Sequence, residues 1–242
     1  MGIGPGSVED MTLRARQEIE RADVVIGYRT YVELIKRVIK KETEIIIGKM
    51  GEEVKRAKIA IQKALEGKHV VVVSSGDAGV YGMAGLVIEV AEAMNVKVPI
   101  EVVPGVMAAT AAAAKLGAPL MDGFVVISLS DLLTPWKEIE KRLIAAAQAD
   151  MVIVLYNPKS RTRMNPLVKA HEILLKYRSS DTPVGIVRNV GREEEEVVIT
   201  NLREMLKHHI DMTTTIIIGS SKTRMVDGKM VTSRGYHILR TR

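Results

Sequence analysis

Five short stretches of the sequence hold the glycine, acidic, basic and hydroxyl residues that could do chemistry. One of them, Ser74–Gly85, follows directly on the apolar run Val70–Val73 and contains four glycines and a single acid, Asp77. Glycine lets the main chain approach a ligand closely, and open α/β sheets bind ligands where their strands end. The stretch is therefore predicted to line a ligand cleft, although a tight strand-to-helix turn would use the same residues.

Asp77 has two alternative roles, because an acid in this position could cap the following helix or accept hydrogen bonds from a ligand. A second stretch, Val102–Ala109, ends a predicted strand in Pro104-Gly105 and opens an alanine-rich helix. Small residues at a helix start leave room for a flat ligand and expose free backbone N–H groups. This stretch is therefore a second candidate for contacting a ligand.

A third stretch, Gly2-Ile3-Gly4-Pro5-Gly6, has glycines at alternate positions. Its spacing departs from G-x-G-x-x-G and Pro5 has no N–H to donate, which argues against a nicotinamide enzyme. The sequence also lacks G-x-x-x-x-G-K-[ST], which excludes a P-loop NTPase. Almost nothing precedes Gly2 to form a first strand, so we expect this edge of the sheet to be short or the chain to be trimmed there.

The fourth stretch, Phe124–Trp136, combines an apolar run with serine, aspartate and threonine. Pro135 is expected at the first position of a helix, with Thr134 as its cap. Ser130 and Thr134 are accordingly either acid–base or hydrogen-bonding groups or plain structural caps.

The fifth stretch, Leu155–Arg163, joins an apolar strand to a loop that carries Lys159, Arg161 and Arg163. Such a basic edge could grip an anion, and it could equally be a solvated loop. A later acidic run, Glu193–Glu196, is expected to be a solvated turn before a strand.

Composition narrows the class of protein. The formal net charge is +6, which suggests an anionic partner, but no basic block with interleaved aromatic residues points to nucleic acid. There is no cysteine, which excludes disulfides, thiolate nucleophiles and cysteine zinc sites, and the five histidines show no ligand spacing, so we expect no protein-bound catalytic metal. No apolar run is long enough to span a membrane and no secretory signal is visible, so a cytoplasmic location is expected.

Short apolar runs alternate with helical periods, which predicts an α/β fold with helices flanking the sheets. A break at Gly117-Ala118-Pro119 places a domain boundary between Leu116 and Phe124, giving domains 1–118 and 119–242. The predicted strands are Val24–Ile26, Ile45–Ile47, Val70–Val73, Ile100–Val103, Phe124–Ser128, Met151–Tyr156, Pro183–Arg188, Val197–Ile199 and Thr214–Ile218. The predicted helices are Met11–Arg21, Glu52–Glu66, Ala84–Met94, Met107–Leu116, Trp136–Ala149 and Leu167–Tyr177.

Taken together, the five stretches resemble those of the tetrapyrrole methylases, S-adenosylmethionine-dependent enzymes that build cobalamin and sirohaem. The resemblance runs from Gly2 to Tyr236. Within that family, three segments look like the precorrin-3B or cobalt-precorrin-3 C17-methyltransferase branch: Gly27–Tyr31, Ser128–Trp136 and Asp227–Tyr236.

The resemblance implies a two-domain α/β protein, each domain a mixed sheet flanked by helices, with the active site in the cleft between the domains and usually a homodimer. It implies S-adenosylmethionine as cofactor and a tetrapyrrole as substrate, with S-adenosylhomocysteine as product. Carried over residue by residue, the cofactor-binding residues are Pro5, Ser75, Gly76, Asp77, Val80, Met107, Ala108, Tyr156, Asn157, Arg188 and Thr214. The candidates for gripping the acetate and propionate groups of the substrate, from charge and loop position, are Arg29, Lys159, Arg161, Arg163 and Arg192.

The sequence departs from the family pattern at Ser7, where an aspartate is usual after Gly-Pro-Gly, and at Ala78, where proline often follows the acid. Ser7 leaves open which group moves protons during ring contraction, so the catalytic candidates are Ser130, Thr134 and Asp77. Other acceptors stay open as well: another corrin position, sirohaem, RNA or diphthamide. A non-catalytic nucleotide-binding module is the alternative from a different class.

Overall fold

The computed structural model describes residues 1–160 and 165–236, and its chain divides into two compact units, Met1–Ala108 and Ala109–Arg242. The division falls after Ala108, the first residue of the helix Ala108–Leu116, whereas the sequence predicts a boundary between Leu116 and Phe124. The packing of Leu116 explains why this helix goes with the second unit. A Cβ placed on Gly185 would lie 2.2 Å from Leu116 Cδ1, so the leucine sits directly on that glycine.

The first unit is built on a sheet of three parallel strands. Its elements are α1 (Leu13–Arg21), β1 (Val24–Tyr28), α2 (Arg29–Ile35), β2 (Glu44–Gly48), α3 (Glu53–Leu65), β3 (Val70–Val72) and α4 (Ala84–Ala93). The strand order is β2-β1-β3, and β1 is buried along Val24–Ile26 because apolar residues face helices on both sides of a parallel sheet. The predicted β1, β2, β3, α1, α3 and α4 are confirmed to within two residues at each end, whereas α2 was not predicted.

The predicted strand Ile100–Val103 is wrong, since residues 96–107 form neither helix nor strand. This segment is tied to the sheet by one backbone hydrogen bond, from Gly2 N–H to Val103 C=O at 2.9 Å. Residues 1–4 do join the sheet, through a parallel bridge between Gly2 and Ser74 and an antiparallel bridge between Gly4 and Gly76. An apolar run becomes a strand only where a neighbour offers a ladder of partners, and residues 100–103 have too few of them.

The second unit contains a mixed sheet and a smaller sheet. Its elements are α5 (Ala108–Leu116), β4 (Gly117–Ala118), β5 (Phe124–Ser128), α6 (Trp136–Gln148), β6 (Val152–Tyr156), α7 (Asn165–Leu175), β7 (Pro183–Arg188), β8 (Glu196–Asn201), β9 (Thr214–Ile218), β10 (Thr223–Val226) and β11 (Lys229–Thr232). The mixed sheet has the order β5-β6-β9-β7-β8, in which only β5 and β6 are parallel, and the smaller sheet has the order β10-β11-β4.

The hairpin of β10 and β11 was not predicted, although its turn carries a clear signal. Asp227 and Gly228 both have positive φ, at 47° and 74°, and Asp-Gly is a preferred pair for such turns. Packing of α6 and α7 on the mixed sheet forms the core of this unit, with Leu143, Leu155 and Leu174 fully buried. Among the described residues, no helix is long and apolar enough to cross a membrane.

Candidate functional site

In the first unit, three backbone segments meet at the carbonyl group of Gly76. Gly76 N–H donates to Gly4 C=O at 2.7 Å, and Gly4 N–H donates back to Gly76 C=O at 3.1 Å. A Cβ on Gly2 would lie 2.6 Å from the Gly76 oxygen, and a Cβ on Gly105 would lie 2.3 Å from it. No side chain fits at positions 2 and 105, and we call Gly2, Gly4, Gly76 and Gly105 the glycine junction.

The carboxylate of Asp77 ties this junction together. Its Oδ1 accepts from Gly79 N–H at 2.8 Å, and its Oδ2 accepts from Gly105 N–H at 2.9 Å. Asp77 does not cap α4, because Met83 N–H, just before that helix, donates to Ser74 Oγ at 3.0 Å. The capping alternative is therefore wrong for Asp77, whose two oxygens hold the loop Ser74–Gly85 against Gly105.

Gly76 also faces the start of α5. A Cβ added to Gly76 would lie 3.6 Å from Ala108 N and 3.8 Å from Met107 Cα, and its φ of +67° favours glycine. Pro5 is buried next to Gly4, whereas Ser75 and Val80 are half-buried in the loop that Asp77 holds. The structure thus brings together all the predicted cofactor-binding residues of this unit: Pro5, Ser75, Gly76, Asp77, Val80, Met107 and Ala108.

In the second unit, Tyr156 and Asn157 lie where β5 and β6 end. Asn157 Nδ2 donates to Ser128 Oγ at 2.9 Å, and Asn157 adopts φ of +51°, a left-handed conformation that asparagine tolerates. Ala109 N–H donates to the Tyr156 hydroxyl at 2.7 Å, which satisfies one of the free N–H groups in the first turn of α5. The two predicted cofactor-binding residues are therefore neighbours with fixed side chains.

Arg188 and Thr214 face each other in the register of β7 and β9. Arg188 makes a two-pronged ion pair with Glu196, with Nε and Nη2 at 3.0 and 2.6 Å from its oxygens, and this hydrogen bonding raises the pKa of the arginine. Burial raises the pKa of Asp211, but hydrogen bonds from Thr213 and Thr214 bring it below its ordinary value. Both predicted cofactor residues are thus engaged with carboxylates of their own unit.

Two catalytic candidates with hydroxyl groups, Ser130 and Thr134, follow β5. Thr134 does not occupy the N-cap position of α6 that was expected for it. The helix α6 begins at Trp136, Pro135 occupies the cap position with φ of −55° and ψ of 140°, and no side chain caps this end. The prediction of Pro135 inside the helix with Thr134 as its cap is therefore wrong, because the extended ψ of Pro135 delays the first turn. Ser130 N–H donates to Ser128 Oγ at 3.2 Å, which places Ser130 next to the Asn157 contact.

The predicted substrate cations are spread over both units. Arg29 is exposed at the first residue of α2, Lys159 is half-buried just after β6, and Arg192 is half-buried in the loop between β7 and β8. Arg161 and Arg163 lie outside the described residues.

The loop that carries Arg192 has an anchor that sequence reasoning missed. Glu195 accepts from Gly191 N–H at 2.7 Å and pairs with Lys115 Nζ at 2.8 Å. Burial raises the pKa of Glu195, and these two hydrogen bonds more than reverse that effect, so its pKa lies below the ordinary value. The expectation of a solvated acidic turn is therefore wrong for Glu195, and no local pattern marks Lys115 as its partner.

Comparison with known proteins gives a consistent result. The family model described as "Tetrapyrrole (Corrin/Porphyrin) Methylases" matches residues 1–206. The "Cobalt-factor III methyltransferase" of Priestia megaterium is 54% identical over 98% of this chain, which spans only 44% of that protein. The "Probable cobalt-factor III C(17)-methyltransferase" of Salmonella typhimurium (strain LT2) is 46% identical over 98% of each chain.

Solved structures agree with the sequence relatives. The crystal structure of the methyltransferase CobJ has a TM-score of 0.90 and 34% identity, covering 96% of this chain and 97% of the other. The cobalt precorrin-4 methyltransferase CbiF has a TM-score of 0.74 and 28% identity, covering 90% and 92%. These likenesses confirm the predicted α/β fold class.

Proposed function

This chain belongs to the tetrapyrrole methylase family, and we propose that it is an S-adenosylmethionine-dependent methyltransferase that methylates C17 of a precorrin-3 or cobalt-precorrin-3 ring with coupled ring contraction, in cobalamin biosynthesis. The likeness to the Salmonella relative named for C17 methylation supports this position on the ring, because it covers 98% of both chains. The observation that carries the cofactor assignment is the glycine junction.

The glycine junction fits a cofactor because it presents backbone with no side chains in front of it. A Cβ on Gly76 would fill the space beside Met107 and Ala108, so glycine keeps that space open for a ligand. We assign the cofactor to the residues of the first unit around this junction and to Tyr156 and Asn157 in the second. Arg188 and Thr214 stay in the proposed cofactor-binding set. Because their side chains already bind Glu196 and Asp211, we assign them a role in shaping the site rather than the main contacts with the cofactor.

The bound cofactor supplies an electrophilic methyl group on a sulfonium. Because the ring carbon that would accept the methyl is already electron-rich, the residues of this chain would need to position the two reactants rather than to supply a strong base. Near-attack positioning contributes roughly 7–11 kcal/mol, against about 3–5 kcal/mol for a single acid or base. Fixed side chains such as Tyr156 and Asn157 suit this demand. Ser130 and Thr134 are the hydroxyl candidates for proton movement during ring contraction. Asp77 is the least suited of the three candidates, because both its oxygens accept hydrogen bonds from backbone N–H groups.

The acetate and propionate groups of the substrate need cationic side chains to pair with. We assign this role to Lys159 and Arg192, together with Arg29, Arg161 and Arg163. Lys159 follows Asn157 by two residues, so it lies close to the proposed cofactor contact. We further propose that the protein acts as a homodimer in the cytoplasm and takes no nucleic acid.

The decisive experiment incubates the chain with ¹³C-methyl S-adenosylmethionine and, in parallel, cobalt-precorrin-3 and metal-free precorrin-3. Mass spectrometry would detect one added methyl, ¹³C NMR would place it at C17, and the absorption spectrum would report the contracted ring. Transfer to a different ring carbon would overturn the C17 assignment. If calorimetry at micromolar concentrations detected no binding of S-adenosylmethionine or S-adenosylhomocysteine, the proposal that the protein is a methyltransferase would be overturned.

A further inference from the structure

The loop between β7 and β8, residues 189–195, lies at the same edge of the mixed sheet as Tyr156 and Asn157. The strands β6 and β7 both pair antiparallel with β9, so they run in the same direction and their carboxyl ends share an edge. The strand β5 is parallel to β6 and ends there as well, at Ser128. The loop that carries Arg192, one of the proposed substrate cations, therefore belongs to the same edge as the proposed site residues of the second unit.

The backbone of this loop needs contacts to hold it. Asn189, Gly191 and Glu194 all have positive φ, at 52°, 68° and 56°. Glycine and asparagine adopt this conformation more readily than glutamate does, and such conformations persist where the surrounding structure fixes them. Arg192 N–H donates to Asn189 C=O at 2.9 Å, so the position of the arginine depends on this turn.

Glu195 supplies fixing contacts through both carboxylate oxygens. Its Oε2 accepts from Gly191 N–H at 2.7 Å, which closes the loop on itself, and its Oε1 lies 2.8 Å from Lys115 Nζ. Lys115 is in the last turn of α5, and the next residue, Leu116, sits directly on Gly185 of β7. The loop is thus tied to a helix that is itself packed on the sheet.

The acidic run beside Arg192 is largely balanced by other cations. Acids next to an arginine compete with the carboxylates of a ligand for its charge. The last two acids of the run, Glu195 and Glu196, pair with Lys115 and with Arg188 respectively. Neither of these carboxylates therefore needs Arg192 to balance its charge.

We propose that Glu195 is a positioning residue for the substrate, because it holds the loop in the conformation that presents Arg192 to a substrate carboxylate. Lys115 is its counter-ion, and Glu195 itself does not touch the substrate. This inference rests on the proposed function, in which the ligand is a tetrapyrrole with acetate and propionate groups. Removing an acid beside an anionic ligand should tighten binding by simple electrostatics, whereas removing this acid should weaken it.

The test measures binding of cobalt-precorrin-3 by absorption titration, with S-adenosylhomocysteine in place of the methyl donor. Glu195→Ala should raise the dissociation constant at least about tenfold, the loss expected when a charge-assisted contact is misplaced. Glu193→Ala removes the same charge from an exposed position of the same run and should leave the constant unchanged or lower it. A constant for Glu195→Ala equal to that of the parent, or lower, would overturn this inference alone. If the parent bound no cobalt-precorrin-3, the proposed function would fail and this inference with it.

Two further variants show whether Glu195 acts through Arg192. Residues that act as a unit have effects that do not add, so Glu195→Ala should raise the constant by less than about twofold when Arg192 is already alanine. A further loss as large as in the parent background would overturn the proposal. Glu195→Gln keeps an oxygen that can accept from Gly191 N–H, so it should bind more tightly than Glu195→Ala. Equal constants for these two variants would contradict the role of Glu195 in holding the loop.

Discussion

The carboxylate of Asp77 accepts a hydrogen bond from the N–H of Gly105 at 2.9 Å, across 28 residues of sequence. The same carboxylate binds Gly79 N–H within its own loop. Asp77 therefore fixes the loop Ser74–Gly85 relative to the segment that leads into α5. Any ligand at the glycine junction depends on this one side chain for the geometry of two segments.

Replacing Asp77 by Asn should weaken S-adenosylmethionine binding by about tenfold, as measured by calorimetry. The amide NH₂ cannot accept a hydrogen bond, so one backbone N–H loses its partner at a cost of about 1–3 kcal/mol. Glu89→Gln, on the exposed face of α4, is the matched control and should bind as the parent does. If the Asn variant and the parent bound S-adenosylmethionine with equal affinity, Asp77 would have no role in cofactor binding.

Gly105→Ala should lower the melting temperature by several degrees and reduce cofactor binding. Its Cβ would lie 2.3 Å from the Gly76 oxygen and 2.8 Å from Gly2 C, and overpacking of this kind costs about 1–3 kcal/mol. Gly85→Ala is the control, since its Cβ would meet nothing within 4 Å and alanine favours the helix. Circular dichroism melts of the two variants should diverge, and overlapping melts would contradict the close contact.

Tyr156→Phe removes the hydroxyl that accepts from Ala109 N–H and should destabilise the protein by about 0.5–1.5 kcal/mol. Urea titration measures this free energy of unfolding. Tyr177→Phe, at a 40% exposed position, should change it little. If Tyr156 also contacts the cofactor, the dissociation constant rises in the same variant, and an unchanged constant would restrict its role to holding α5.

Asp211 should make stability depend on acid pH. Its pKa in the folded state lies below its ordinary value of 3.8, so its contribution is fully present above that value and is lost as the pH falls through the folded pKa. Asp211→Asn should therefore show a smaller drop in unfolding free energy between about pH 6 and about pH 3 than the parent. Identical curves for the Asn variant and the parent would refute the role of Asp211.

Lys159→Gln should raise the tetrapyrrole dissociation constant by about tenfold or more and leave the S-adenosylmethionine constant unchanged. A charge-assisted hydrogen bond to a carboxylate contributes about 1.5–3 kcal/mol. Lys141→Gln, on the exposed face of α6, is the matched control, because it removes the same charge at a position outside the proposed site. An equal effect of both substitutions would point to net charge rather than to a specific contact.

Sequence patterns predicted most of the fold because long apolar runs and helical periods are local signals. The strands β5, β7 and β9 match their predicted bounds, since each is rich in the β-branched residues that favour strands. The failure at residues 100–103 has the opposite cause, because strand formation there depends on a partner distant in sequence. The hairpin after Thr223 was missed although Asp227-Gly228 signals its turn.

Only part of the candidate site could be predicted from the sequence, for a related reason. The loop Ser74–Gly85 was identifiable from its glycines, but the need for glycine at positions 2 and 105 comes from backbone contacts that no local pattern shows. The two alternatives for Asp77 could likewise be separated only when its distance to Gly105 was known. Glu195 appeared to belong to a solvated run because its partner Lys115 is remote in sequence.

The glycine junction has a thermodynamic consequence. Backbone hydrogen bonds from Gly4 and the carboxylate of Asp77 fix the loop before any ligand arrives. Little conformational entropy is then left to lose on binding, and a preorganised site binds more tightly than a mobile one with the same contacts. The heat of binding should consequently report the contacts themselves, with only a small contribution from ordering of the loop.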